Sequence, residues 1–284
     1  MKAPGFKYFY YNPSLAAAVV FAVLFIVTTL VHIAYLFKRR IWFFTALIVG
    51  GWLESIGYIA RIISCKQTPE WTLGPYIIST IFILVAPALL AATIYMILGR
   101  VIHVVDGEHL SIIKKKWLTK AFVAGDVTSF LLQAAGGGLM AQATESAVKL
   151  GQRIILIGLV LQVLFFGFFI VVSLSFNARL SKFPTRISPS LPWEKHMFIL
   201  YASSLLIMVR SVFRVVEYIQ GNNGYIMDHE VFLYLFDATL MFAVMTLFNV
   251  VHPATLLASA QVLDTTPEPV QMAAFEMMGR NTDK

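Results

Sequence analysis

The first long apolar stretch of the chain spans residues 14–37 and has the sequence SLAAAVVFAVLFIVTTLVHIAYLF. A helix needs roughly 20 mostly apolar residues to cross the hydrocarbon core of a bilayer, and this stretch is long enough to do so. It is too long for the apolar part of a signal peptide, and no small-residue cleavage pattern follows it. We therefore expect it to be retained as a membrane span, bounded at its end by Lys38, Arg39 and Arg40.

The composition of the whole chain points to the same environment. Hydrophobic residues make up 58% of the 284 residues and charged residues 13%, whereas soluble domains have roughly 45–50% and 25%. A soluble fold of this size has too little interior for so much apolar surface. We predict an all-α membrane protein with a seven-transmembrane helix bundle at residues 14–258. Its six other spans are predicted at residues 41–63, 75–101, 118–141, 153–176, 197–219 and 229–257.

The basic residues of the predicted loops give the orientation of the bundle. Of the 22 Lys and Arg residues, 14 lie on one side, five on the other and three inside spans. The positive-inside rule then places the N-terminal segment 1–13 outside the cell and the tail 259–284 in the cytoplasm, which requires an odd number of spans. The 14 residues are Lys38, Arg39, Arg40, Arg100, Lys114, Lys115, Lys116, Lys120, Arg179, Lys182, Arg186, Lys195, Arg280 and Lys284.

Several polar and charged residues fall inside the predicted spans, where a charge costs a few kcal/mol or more and marks a candidate functional site. Helical spacing places some of them on shared faces, such as Glu54 and Arg61 with Tyr58 between them. They could be structural pairs that fix helix register, or they could line a cavity for a ligand with a polar head and an apolar body. The second interpretation is favoured for the set as a whole. The candidate binding residues are Glu54, Tyr58, Arg61, Asp126, Gln133, Arg210, Arg214, Glu217 and Asp237.

The spacing predicts that Arg214 holds two carboxylates. Glu217 follows it by three residues and shares its helix face, and Asp237 reaches a similar depth from the next span. The planar guanidinium of arginine can pair with two carboxylates at once, which a lysine ammonium cannot reproduce. We expect a cavity beside this group, in the outer half of the bundle and bounded by the second, sixth and seventh helices.

The sequence disfavours several other classes of protein. The single cysteine, Cys65, cannot form an intramolecular disulfide. The net charge of +7 is not arranged as a basic stripe with interleaved aromatics, so nucleic acid is not a predicted partner. A zinc hydrolase needs several histidines and an aspartate at one depth, and only His32 and His252 come near spans. We predict no catalytic residues, no metal and no cofactor, and there is no ATP-binding motif.

Short motifs that contain polar residues are spread through the predicted spans. They include YNPS (11–14), ESIGYIAR (54–61), APALLAA (86–92), GD with SFLLQAAGGG (125–138), RSVFRVVEY (210–218) and HP (252–253). In these motifs, which extend over about residues 10–260, the chain resembles the fungal lipid-translocating exporters, the family associated with resistance to aminocholesterol. The resemblance implies a seven-span protein of the fungal plasma membrane or internal membranes. It also implies movement of, or resistance to, sphingoid long-chain bases, sterol-like molecules and porphyrins.

The sequence leaves two main hypotheses about function. The leading one is a transporter of amphiphilic lipids, with membrane lipids and an amphiphile (a sphingoid base, a sterol-like molecule or a porphyrin or haem) as partners. In this case the ammonium of a sphingoid base would pair with Glu54, Glu217 or Asp237. The alternative is a seven-helix lipid receptor, although the third span ends in LGRV (98–101) without an acidic-Arg-Tyr motif. An intramembrane lipid-modifying enzyme is the third hypothesis, and the oligomeric state stays open.

Overall fold

The computed structural model describes residues 11–68, 70–140, 144–221, 224–226, 228–256 and 258, and these residues form helices and loops without a strand. The helices are α1 (Leu15–Arg39), α2 (Thr45–Lys66), α3 (Leu73–Val104), α4 (Lys115–Met140), α5 (Glu145–Lys182), α6 (Trp193–Gln220) and α7. The last of these has three consecutive parts, Glu230–Leu233, Tyr234–Ala238 and Thr239–Val250. The predicted tail 259–284 and most of the predicted N-terminal segment 1–13 lie outside the described residues.

Successive helices are antiparallel neighbours, so the bundle has two ends. One end holds the starts of α1, α3, α5 and α7 and the ends of α2, α4 and α6, and we call it the Ser14 end. Ser14 caps α1 there, because its hydroxyl accepts a hydrogen bond from the backbone nitrogen of Ala17 at 3.4 Å. Gly221 follows the end of α6 with a φ of 71°, a backbone conformation that glycine adopts without steric cost.

Six helices in the described part of the chain are long and apolar enough to cross a membrane, namely α1, α2, α3, α5, α6 and α7. The fourth predicted span forms a helix of 26 residues, α4, but it is not among the six. Its sequence contains Asp126, Gln133 and three consecutive glycines, which lower its hydropathy. The structure therefore shows a multi-pass helical membrane protein, whereas the seven-span count and the orientation stay predictions.

The outer surface of the bundle is apolar along its length. Large apolar side chains such as Phe198, Leu164 and Val250 are 70%, 64% and 76% exposed. In water this amount of exposed apolar surface would drive aggregation, whereas a bilayer accommodates it. The interior in contrast holds polar side chains such as Arg210 and Asp237, which are 1% and 0% exposed.

Helices α4 and α5 approach each other so closely that glycine is required at their contact. A Cβ atom on Gly136 would lie 2.6 Å from the backbone oxygen of Gly151, and a Cβ atom on Gly151 would lie 2.5 Å from the oxygen of Gly136. About two turns further along α5, a Cβ atom on Gly158 would lie 2.8 Å from the backbone oxygen of Ser129 in α4. The α4–α5 pair is thus packed backbone to backbone, as small residues allow between helices in membranes.

Candidate binding site

Two arginines of α6 converge on one carboxylate of α7. Arg210 donates through Nε to Oδ1 of Asp237, and Arg214 donates through Nη2 to Oδ2 of the same residue. Arg214 also donates through Nη1 to Oε2 of Glu217 at 2.8 Å. The predicted pairing of Arg214 with two carboxylates is confirmed, and Arg210 is a further member of the group. We call these four residues the α6–α7 network.

Arg210 also compensates for a proline in α3. Pro87 lies inside that helix and has no N–H, so it leaves the carbonyl oxygen four residues earlier, that of Ile83, without its helical donor. Nη2 of Arg210 donates to this oxygen at 3.1 Å. One guanidinium therefore connects α6 with both α3 and α7, and the mid-span proline explains why an arginine is needed at this position.

Arg61 takes part in a second ion pair, nearer the Ser14 end. Its Nη2 atom lies 2.7 Å from Oε1 of Glu230 at the start of α7, and 2.5 Å from the hydroxyl of Tyr11. Its Nε atom donates to the hydroxyl of Tyr234 at 3.3 Å. The other oxygen of Glu230, Oε2, accepts a hydrogen bond from the backbone nitrogen of Ser14 at 2.6 Å. The pair thus joins the start of α1, the end of α2 and the start of α7.

Glu54 forms no ion pair with a described residue, although it shares a face of α2 with Arg61. Its side chain is 0% exposed, and neither carboxylate oxygen has a hydrogen-bond partner among the described residues. It interacts electrostatically with Asp237, Arg210 and Arg214, but the hydrogen bonds of those arginines go to other groups. The hydroxyl of Tyr58, one helical turn away, is likewise buried without a hydrogen-bond partner in the described part of the chain.

The remaining two candidates, Asp126 and Gln133, lie in α4 and have neutral partners. The hydroxyl of Tyr95 donates to Oδ2 of Asp126 at 2.8 Å. The amide nitrogen of Gln133 donates to the amide oxygen of Gln162 at 3.1 Å. The structure therefore brings Glu54, Arg210, Arg214, Glu217 and Asp237 together and places Arg61, Asp126 and Gln133 in three separate contacts.

The partners of these residues were not among the predicted site residues. Glu230 and Tyr234 lie 169 and 173 positions from Arg61 in the sequence, and no local spacing could have identified them. Tyr95 and Gln162 lie on the helices adjacent to α4, in α3 and α5. The signal that could have found these partners is the family resemblance, because its matched positions also include Tyr95, Gln162, Glu230 and Tyr234.

Helix α7 changes its pitch between the two ion-pair groups. The residues Tyr234–Ala238 form a π-helical turn, and the hydroxyl of Thr239 donates to the backbone oxygen of Tyr234 at 2.8 Å. A π-turn holds more residues than an α-turn and is frequent at functional sites. In this helix it lets Glu230 and Tyr234 face Arg61 while Asp237 faces the arginines of α6.

A cavity of about 210 Å³ lies at the Ser14 end between α3, α4, α5 and α6. Most of its lining is apolar, and its polar side chains are those of Tyr76, Thr80, Gln133 and Tyr218. Gly137 and Gly138 of α4 also border it, and a Cβ atom on either glycine would meet nothing within 4 Å. The sequence predicts a cavity between α2, α6 and α7, and that cavity stays a prediction. The cavity described here is bordered by α3, α4, α5 and α6.

Two histidines toward the end of the bundle opposite the Ser14 end, His32 in α1 and His252 after α7, lie close together. The ring centroids of His32 and His252 are 6.2 Å apart, and Nε2 of His32 lies 3.1 Å from the backbone oxygen of Met245. In the described residues, no group of three or more His, Cys, Asp or Glu side chains could hold a metal ion.

Comparisons with known proteins group the chain with fungal membrane proteins. The family described as RTA1 like protein matches residues 47–260. The chain is 40% identical to Protoporphyrin uptake protein 1 of Saccharomyces cerevisiae over 87% of this chain and 92% of that protein. It is 35% identical to Protein RTA1 of the same yeast, over 97% of this chain and 93% of that protein. The Sphingoid long-chain base transporter RSB1, also from this yeast, is 25% identical over 85% of this chain and 72% of that protein.

No solved structure matches the chain. The family match covers most of the bundle, including α2 to α7 and the whole α6–α7 network. Two of the relatives align over nearly their full length with identities above 30%. This chain therefore belongs to the RTA1-like protein family.

Proposed function

We propose that this chain moves an amphiphilic lipid with a cationic head across a fungal membrane, by way of a site at Glu54. The names of its relatives support movement of amphiphiles, because they include a sphingoid long-chain base transporter and a protoporphyrin uptake protein. Of these two ligands, the sphingoid base is the one with a cationic amine head. The observation that carries the proposal is the buried carboxyl group of Glu54, which has no hydrogen-bond partner among the described residues.

The charges around Glu54 indicate which kind of ligand it would take. In the α6–α7 network, two arginines are paired with two acids, and Arg61 is paired with Glu230. Asp237 and Glu217 are therefore already neutralised by the protein, whereas Glu54 is not. A buried carboxylate without a partner is unfavourable, and an ammonium group arriving beside it would remove that cost. Of the three acids considered from the sequence, Glu54 is thus the one available to a cation.

The neighbours of Glu54 suit the rest of such a ligand. The ring of Tyr58 stacks on Phe25 with ring centroids 5.6 Å apart, and both rings are fully buried. The hydroxyl of Tyr58 can accept or donate a hydrogen bond to a head group that carries both an ammonium and hydroxyls. Because Glu54 is 0% exposed, the helices must separate to admit the ligand, as alternating access in transporters requires.

A seven-span topology with the N-terminus outside is part of the proposal. Helix α4 supports the seventh crossing, because it packs against α5 from Gly125, beside Phe165, to Gly136, beside Gly151. With 26 residues at about 1.5 Å per residue, α4 is also long enough to cross a hydrocarbon core of about 30 Å. An epitope tag before Met1 should be accessible on intact cells, and a tag after Lys284 only after permeabilisation. We propose the plasma membrane as the location, which the same staining of intact cells tests.

The test of the function uses purified protein in liposomes and a fluorescent sphingoid long-chain base. Wild-type protein should accelerate movement of the base between leaflets, and Glu54→Gln should abolish the acceleration because the amide has no negative charge to balance the ammonium. Glu54→Gln should fold normally, since no hydrogen bond within the described protein is lost. Glu108→Gln is the matched control, because Glu108 is half exposed in a loop at the other end of the bundle and should transport normally.

Two outcomes would contradict the proposal. Wild-type protein that binds the long-chain base but never moves it would favour the receptor hypothesis. Transport by Glu54→Gln at the wild-type rate would show that Glu54 is a structural residue and that the cation is recognised elsewhere.

A further inference from the structure

One residue that borders the cavity between α3 and α4 carries a polar atom that the described protein does not use. This residue is Gln133, which is 3% exposed. Its amide nitrogen donates to Gln162, but its amide oxygen, Oε1, is buried and has no hydrogen-bond partner among the described residues. Buried amide oxygens are normally hydrogen-bonded, because leaving one unpaired costs free energy. A side chain at the border of the cavity therefore carries an acceptor that a ligand could satisfy.

The lining determines the charge of that ligand. None of the residues that border the cavity is ionisable at neutral pH, since its polar side chains are two tyrosines, a threonine and Gln133. An ammonium, a phosphate or a carboxylate placed there would lose its hydration without gaining a counter-charge. The group that enters is therefore neutral, and it must be a hydrogen-bond donor to match the free oxygen. A hydroxyl group on an apolar body satisfies both conditions.

The size of the cavity also limits which molecules can enter. A cavity of about 150 Å³ lined by apolar side chains holds one benzene ring, so about 210 Å³ holds a ring or a short length of alkyl chain. A porphyrin, with four linked pyrrole rings, is too large. Leu73 and Ile81 on the border of the cavity are 45% and 36% exposed. The cavity thus opens to the outside of the bundle, where the rest of a longer lipid can lie.

We propose that this cavity is a binding site for a neutral lipid alcohol, whose hydroxyl donates to Oε1 of Gln133 and whose apolar body fills the space beside Gly137 and Gly138. The site is distinct from Glu54, since its lining includes no member of the α6–α7 network. Tyr218 nevertheless connects them, because it borders the cavity and interacts electrostatically with Arg214 and Glu217. The role of this site in transport rests on the proposed function. The binding itself does not, because it is measured without any transport.

The first experiment compares head groups on the wild-type protein in lipid nanodiscs. Radiolabelled hexadecanol, hexadecylamine and cholesterol are the probes, and binding is measured at equilibrium. Hexadecanol and hexadecylamine have the same chain, but the amine is a cation at neutral pH and the alcohol is not. We expect Gln133-dependent binding for at least one of the two alcohols, and the comparison between them shows whether a chain or a fused-ring body fits.

The second experiment uses two variants that break the same hydrogen bond. Gln133→Met and Gln162→Met both remove the contact between the two amides, but only Gln133→Met removes the oxygen of the cavity. We expect Gln133→Met to weaken alcohol binding about threefold to tenfold, the range for one hydrogen bond. We expect Gln162→Met to bind as the wild type does. This difference separates a ligand contact from a structural role of the pair.

A third pair of variants tests the space itself and does not depend on Gln133. Gly137→Leu places a side chain in the cavity without meeting protein atoms near its Cβ, so it should fold and lose alcohol binding more than tenfold. Gly74→Leu also extends into open space at a glycine that does not border the cavity, and it should bind normally.

The proposal is overturned if Gln133→Met and Gly137→Leu bind both alcohols as tightly as the wild type does. It is also overturned if hexadecylamine binds with the same dependence on Gln133, because the site would then not select a neutral head. Normal alcohol binding with no movement of the long-chain base would instead overturn the proposed function and leave this site standing.

Discussion

The side of the bundle formed by α2, α6 and α7 is held together differently from the side formed by α4 and α5. On the first side, ion pairs connect the helices: Arg61 of α2 and Arg210 and Arg214 of α6 each pair with a carboxylate of α7. On the second side, backbone contacts at Gly136 and Gly151 and the amide pair of Gln133 and Gln162 connect the helices. Paired charges in a low-dielectric interior fix the geometry of the helices that carry them. The contacts of the second side are neutral, and the cavity borders α4 on that side.

The largest expected effect comes from removing the shared acid of the first side. Asp237→Asn keeps the shape of the side chain but leaves Arg210 and Arg214 without its charge. Breaking a buried ion pair from one side costs about 3–5 kcal/mol, and here two arginines are affected. We expect loss of the monodisperse peak, or a large drop in melting temperature, when the variant is followed by fluorescence-detected size-exclusion chromatography.

Glu217→Gln is the matched control for that experiment. It removes only one of the two carboxylates held by Arg214, which keeps Asp237 as a partner. Its melting temperature should fall much less than that of Asp237→Asn. If the two variants melt alike, the α6–α7 network is not centred on Asp237.

An intermediate effect is expected where the second side is tightest. Gly136→Ala would place its Cβ 2.6 Å from the oxygen of Gly151, so α4 and α5 would have to move apart. Overpacking of this kind costs about 1–3 kcal/mol. The adjacent change Gly137→Ala meets open space and should be neutral or stabilise the helix by up to about 1 kcal/mol. Equal melting temperatures for the two variants would argue against the close approach of α4 and α5.

The smallest effect is expected from Arg61→Lys. A lysine keeps the charge opposite Glu230 but cannot reproduce the planar donor fork that also contacts Tyr11 and Tyr234. We expect a loss of about 1 kcal/mol, read from the melting temperature. Arg61→Met, which leaves Glu230 without a base, should lose considerably more. If Arg61→Lys loses as much stability as Arg61→Met, the planar geometry of the guanidinium, rather than its charge, fixes the start of α7.

The sequence predicts those parts of this structure that depend on neighbours along one helix. Apolar length located the helices, and the three-residue spacing of Arg214 and Glu217 predicted their contact. Contacts between different helices could be predicted only where two residues lie at the same depth in the membrane, as Arg214 and Asp237 do. The partner of Arg61 could not be predicted in this way, because Glu54 and Glu230 are both acids that could reach it. The packing of the helices determines which of the two acids pairs with Arg61.

The position of the cavity could not be predicted for a related reason. A cavity forms where side chains of several helices fail to meet, and this depends on helix separations that no pattern in one helix records. Gly136, Gly137 and Gly138 are consecutive and identical in the sequence, yet the first touches α5 and the other two border empty space. Successive residues of a helix lie about 100° apart around its axis, so equal residues in succession do not all meet the same surroundings.

The π-helical turn of α7 makes the local pitch of this helix matter as well as its composition. Glu230 lies before the turn and Asp237 lies within it, seven residues further along. Seven residues make almost two full turns of an α-helix, so an ordinary α-helix would bring both acids to nearly the same face. Arg61 and the α6 arginines could then no longer both be satisfied by α7. The pitch of the helix between these acids is therefore constrained as strictly as their identity.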